Sequence, residues 1–171
     1  MKNEKIKLMC ITGVFTAITY IFTAYFHIPS HTGYTHIGDA FIYIAACLLP
    51  LPYAATVGAV GALLADCLTG FAIWAPASVI IKSLAVLCFS RKNEKIVCLR
   101  NILALIPAWF VCIFGYYFYE SIITCNFIAP LAGIAGYITQ CTLSSIVFII
   151  LGSTLDKIKA KNYIFKGEKI R

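Results

Sequence analysis

Basic residues and long apolar runs exclude one another along this chain, and that segregation limits what it can fold into. Five runs, 8–28, 53–70, 73–89, 101–119 and 127–152, approach or exceed the ~20 residues a helix needs to cross a hydrocarbon core. Of the fourteen Lys and Arg, only Lys82 lies inside one of them. The other thirteen form three clusters: Lys2, Lys5 and Lys7; Arg91, Lys92, Lys95 and Arg100; and Lys157, Lys159, Lys161, Lys166, Lys169 and Arg171.

Composition agrees with a membrane chain. The 171 residues are 61% hydrophobic and 12% charged, with mean hydropathy +0.88. A soluble domain needs about a quarter charged residues to cover its surface. The reading is an all-α integral membrane protein forming a single membrane domain over 1–171. The net charge of +7 does not imply nucleic-acid binding, because every cluster flanks an apolar run, as the positive-inside rule requires. The apolar run 8–28 exceeds a typical signal-peptide core and no A-x-A site follows it, so it reads as a retained first helix.

A sixth apolar segment, 37–49, is 13 residues long, a length that also fits a re-entrant segment, and Pro50 and Pro52 end it. Topology favours counting it as a span. Six helices then put the N-terminus, the 90–100 loop and the C-terminal tail on the cytoplasmic side. The outer connections, 29–36, 70–73 and 120–126, contain no Lys or Arg. Were 37–49 not to cross, the 90–100 loop would face away from the N-terminus, against the charge rule. Ala54, Gly58, Ala62 and Asp66 recur every four residues and predict a close-packing stripe on the third helix. Gly13 and Ala17 form a similar small-residue face on the first.

Charges at bilayer depth are costly, so they face a partner, a cavity or a ligand. Lys82, Asp39 and Asp66 are such charges, and the outer half collects polar neighbours around them. Pro29-Ser-His-Thr-Gly-Tyr-Thr-His36 leads into Ile37-Gly-Asp39, Trp74 and Pro76 open the fourth helix, and Glu120 and Asn126 sit in the last outer loop. Lys82 is six residues below Pro76, about 9 Å along a helix, which suits the floor of a pocket or an ion pair with Asp39 or Asp66. Tyr43, Phe41, Phe71 and Trp74 supply aromatic walls, the usual make-up of a small-molecule site. His36 either orients the second helix or touches ligand. His31, Thr32, Gly33 and Tyr34 read as a lid loop, and His27 as interfacial. Glu120 follows Tyr116, Tyr117 and Tyr119, an aromatic belt. The histidine spacing 27/31/36 straddles a helix end and a loop, so no metal is expected. The eight cysteines carry no CxxC and read as small hydrophobes. No nucleophile elbow, HExxH or phosphate-binding loop is present. The chain is therefore read as no enzyme, without a cofactor, and any pumping needs a partner.

Three blocks together carry a resemblance. His36-Ile-Gly-Asp39-Ala, Gly58-Ala-Val-Gly61-Ala-Leu-Leu-Ala-Asp66, and Gly70-Phe-Ala-Ile-Trp74-Ala-Pro76 with Ile80-Ile-Lys82 resemble the substrate-capture (S) components of energy-coupling factor (ECF) vitamin transporters. The likeness is nearest the riboflavin- and pyridoxine-type branch. It covers residues 8–90, while the last two helices match in hydropathy and length only. It implies a six-helix protein in the cell membrane, with an outward-opening pocket under the loop between helices one and two. It implies a transmembrane coupling subunit and two cytoplasmic ATPases as partners, with Gly13 and Ala17 at the coupling contact. The implied function is capture of a vitamin-like or nucleobase-like compound; the alternative is a standalone small-molecule carrier or channel.

Overall fold

A computed structural model describes residues 2–29 and 34–165. The expected lid residues His31, Thr32 and Gly33, and the tail cluster Lys166, Lys169 and Arg171, lie outside the described residues. The chain runs α1 (Lys2–Ala24), β1 (His27–Pro29), β2 (Tyr34–His36), α2 (Asp39–Leu48), α3 (Leu51–Leu68) and α4 (Ala75–Val86). It continues through α5 (Leu99–Leu103), α6 (Leu105–Thr124), α7 (Ile134–Lys157) and α8 (Ala160–Ile164). Single 3₁₀ turns precede α4 (Ala72–Trp74) and α7 (Ala129–Gly133).

Four helical segments, Glu4–Ala24, Leu51–Leu68, Leu99–Thr124 and Ala129–Lys157, are long and apolar enough to cross a membrane, and Asp39–Leu48 and Ala72–Val86 are shorter apolar helices. The apolar runs therefore became helices, with shifted ends. The first helix begins earlier than expected, because the Lys- and Glu-rich start is itself helix-forming. It stops at Ala24, not 28, because His27–Pro29 pairs antiparallel with Tyr34–His36. The segment expected as loop and helix end is thus partly a β-hairpin.

Prolines and one glycine set the remaining boundaries. Pro52 and Pro76 lie in the first turns of α3 and α4, where a missing N–H costs nothing. α3 ends on Gly70 at φ +87°, a left-handed position that suits glycine. The Phe71 N–H then bonds back to the Asp66 carbonyl at 2.9 Å, closing a Schellman cap. The cap fixes Phe71 directly beside Asp66.

All ten residues of α2 are buried, so this helix forms the centre, packed by α1, α3, α4 and α7. Apolar surface outside it is extensive. Ile106, Phe110, Phe114 and Phe118 recur every four residues on α6, each more than half exposed. Such a stripe suits lipid and not water.

The predicted stripe on α3 is internal: Ala54, Gly58, Ala62 and Asp66 are all buried. A Cβ on Gly58 would sit 3.3 Å from Lys82, and one on Gly61 2.9 Å from Thr19. These glycines bring α4 and α1 against α3.

The basic clusters meet at one end. The Lys7 ammonium lies over the Phe165 ring. Lys161 donates to the carbonyls of Cys47, Arg91 and Asn93, tying the end of α2 to the 91–93 connector. Asp156 accepts from the Ile96 and Val97 N–H groups, and Asn101 clamps Ser90 and Ile96. The hairpin occupies the opposite end, where α2 begins.

Candidate functional site

Asp39 is the first residue of α2 and is completely buried. The helix N-terminus favours its negative charge. Its Oδ2 accepts from the Lys82 ammonium at 2.8 Å and from the Gln140 amide at 3.0 Å. The same ammonium lies 5.1 Å from the centre of the Tyr116 ring, within cation–π range. Lys82 thus pairs with Asp39 and not with Asp66, one of the two partners left open by the sequence.

Asp66 faces the same region from α3 and is engaged by the hairpin, since the Tyr34 hydroxyl donates to its Oδ1 at 2.5 Å. Burial and the Asp66 charge hold the Tyr34 phenol well above its ordinary range, so Tyr34 stays protonated and is the donor. Its ring packs on Phe71, His36 and His27. Ser78 and Tyr116 share a hydrogen bond at 3.0 Å, and the Ser78 hydroxyl also lies beside Asp66. Two carboxylate oxygens, Asp39 Oδ1 and Asp66 Oδ2, are buried without a hydrogen-bond partner.

His36 closes the site from β2. Its Nδ1 accepts from the Gly38 N–H at 3.2 Å, and its carbonyl accepts from Ser144. Thr35 donates to the Gly136 carbonyl, so both neighbours on the strand tie the hairpin to α7.

Burial pushes the His36 imidazole down to about 4, with Lys82 and His27 adding to the effect and Asp39 opposing it. The sign of the pH dependence follows. Above the ordinary value of about 6.5 the ring is neutral folded and unfolded. As pH falls from there towards about 4, the unfolded chain takes up the proton first, so stability is lost, by roughly 3 kcal/mol in all. His36→Asn keeps an acceptor for Gly38 and cannot titrate there. Melting temperatures of the two proteins between pH 7 and 4.5 should diverge, with the wild type losing more.

The remaining expected residues divide. Trp74 packs on Tyr116 and Tyr119, and Glu120 accepts from Tyr137, whose ring stacks on Tyr116; both adjoin the cluster. Tyr43 lies one turn deeper, packed on Phe89 and Phe148, in the apolar layer beneath Asp39. Asn126 is exposed and caps the following turn, its Oδ1 accepting from Ile128 and Ala129. Gln140, Ser78, Tyr116 and Tyr137 were not anticipated. A single Gln in the last apolar run was the one signal for them. Among the described residues no group of three His, Cys, Asp or Glu is placed to hold a metal.

A multi-pass membrane protein with a closed polar site beneath a hairpin is the class these observations define. The chain matches the family described as ECF-type riboflavin transporter, S component, over residues 3–157, and it belongs to that family. S components are the substrate-binding subunits of ECF transporters, which work with a T component and ATPases; the family is one of transporters, not of enzymes. Every residue of the buried cluster, from Tyr34 to Gln140, falls inside the matched span. A search of curated proteins gave no match.

Proposed function

We propose that this chain is the substrate-capture component of an ECF-type importer in the cell membrane, binding a small vitamin-like or nucleobase-like compound from the outer face. The observation that carries this reading is the Lys82–Asp39–Gln140 cluster, wholly buried at the hairpin end of the molecule. Buried ionisable groups at such depth mark ligand paths more often than scaffolding. The site residues are His36, Asp39, Asp66, Trp74 and Lys82, with Gln140 and Tyr116 added and Glu120 at the rim; Tyr34 belongs to the lid.

Six spans with both termini cytoplasmic fit the gathering of basic residues at the end opposite the site. On this reading α2 and the Ala72–Val86 segment are the two short spans. At about 15 Å, α2 is half the thickness of the hydrocarbon core, but neighbouring helices surround it, so its ends need not meet lipid. Gly13 and Ala17 are exposed on α1 and line a groove of about 630 Å³ between α1 and α3, with Tyr20, Tyr53 and Val60. Small side chains there permit close helix approach, which suits the coupling subunit, with two ATPases beneath it.

Protein purified from cells grown in rich medium should retain a small molecule, identified by mass spectrometry. Proteoliposomes should accumulate that molecule only when the coupling subunit, the ATPases and ATP are supplied. Accumulation by the chain alone would make it a standalone carrier instead.

A further inference from the structure

The charge inside the closed site is unbalanced. Asp39 and Asp66 are each at least 96% buried, and among the described residues Lys82 is the one basic side chain bonded to either of them. His36 is neutral at pH 7, with its value lowered to about 4. Lys82 is already committed, with Asp39 Oδ2 on one side and the Tyr116 ring on the other, so it is poorly placed to receive an anion. The unmet demand is for donors: Asp39 Oδ1 and Asp66 Oδ2 are both acceptors without a partner. A buried acceptor left unpaired is costly, the more so when charged. The aromatic rings of Tyr34, Phe71, Trp74 and Tyr116 line the same region.

Resting on the capture reading above, we infer that the ligand is a planar, cationic nitrogen compound whose N–H groups bond Asp39 Oδ1 and Asp66 Oδ2. An excess of carboxylates in a low-dielectric site attracts a cation and repels a phosphate or carboxylate. Tyr34 already illustrates the chemistry, because the group that reaches Asp66 is a protonated donor.

The test uses the full chain in lipid nanodiscs, titrated by calorimetry at pH 7 with four probes. Thiamine and 7-aminomethyl-7-deazaguanine are cations that carry N–H donors on a planar nitrogen heterocycle, riboflavin is neutral, and pyridoxal 5′-phosphate is anionic. One of the cations should bind more tightly than riboflavin or pyridoxal phosphate. Asp66→Asn should weaken that binding about 100-fold, since a charged hydrogen bond is lost and an amide donor faces the ligand's donor. Asn Oδ1 still accepts from Tyr34, so the melting temperature should stay within roughly 4 °C of wild type. Tighter binding of riboflavin or pyridoxal phosphate, or cation binding unchanged by Asp66→Asn, would overturn the inference. Mass spectrometry of the retained molecule separates this from the parent reading. A neutral or anionic molecule overturns the charge assignment alone. A chain that retains nothing and binds none of the four loses both.

Discussion

Lys82→Ala should destabilise the folded protein by about 3–5 kcal/mol, the usual cost of removing one member of a buried ion pair. The cost arises at Asp39. With Lys82 gone, a carboxylate that is fully buried keeps only the Gln140 amide at 3.0 Å, and the Tyr116 face loses its cation. Asp39→Asn is the mirror case, leaving an ammonium at 1% exposure with no counter-charge. Replacing both, Lys82→Met with Asp39→Asn, removes both charges while roughly preserving volume. Paired replacements of this kind are often neutral, so the double variant should melt closer to wild type than either single. Denaturant or thermal melts in nanodiscs, arranged as a double-mutant cycle, give the coupling directly. A double variant as unstable as the sum of the singles would mean that Lys82 and Asp39 act separately. Ligand retention adds a second readout. The double variant should recover stability but not binding, because Asp39 Oδ1 is assigned to the ligand and an amide nitrogen cannot accept there.

How far the sequence foretold this arrangement depended on the size of each signal. Charges in apolar runs are rare enough that Asp39, Asp66 and Lys82 were conspicuous, and the structure does bring all three to one end. Gln140 and Tyr116 complete the cluster, yet neutral amides and tyrosines occur in ordinary spans, so the lone Gln was a weak signal and Tyr116 read as part of an aromatic belt. Tyr43 and Asn126 show the reverse error. Tyr43 was read as an aromatic wall of the site, but one turn of depth below Asp39 carries it into the Phe89–Phe148 layer. Asn126 is local to the site in sequence, but its side chain is spent on turn N–H groups. The long helices were legible because some 20 apolar residues leave the backbone few other ways to satisfy itself in lipid. The hairpin was not. Its strands are three residues each, too short for a period-two pattern, and contacts far along the chain hold them: Thr35 to Gly136 and His36 to Ser144.

That dependence on distant contacts makes the junction of hairpin and core the most sensitive backbone position. Gly38→Ala should lower stability by about 3 kcal/mol, at the upper end for an overpacked core. The glycine's own conformation is helical, at φ −57° and ψ −29°, so alanine meets no backbone strain there and would ordinarily favour the helix. The penalty is purely one of space. A Cβ on Gly38 would lie 2.0 Å from the Thr23 hydroxyl and 3.2 Å from the Thr19 carbonyl, so α1 or the start of α2 must move. Either movement also shifts Asp39, the next residue, away from Lys82 and Gln140. The effect should therefore appear twice, as a lower melting temperature and as weaker ligand retention. Thr23→Ala removes the hydroxyl and leaves the nearest atoms at 3.2 Å, a spacing a small adjustment absorbs. Gly38→Ala combined with Thr23→Ala should regain most of the stability and the retention together. If the pair recovers neither, Gly38 is needed for chain flexibility at the hairpin junction and not for the close approach of α1 to α2.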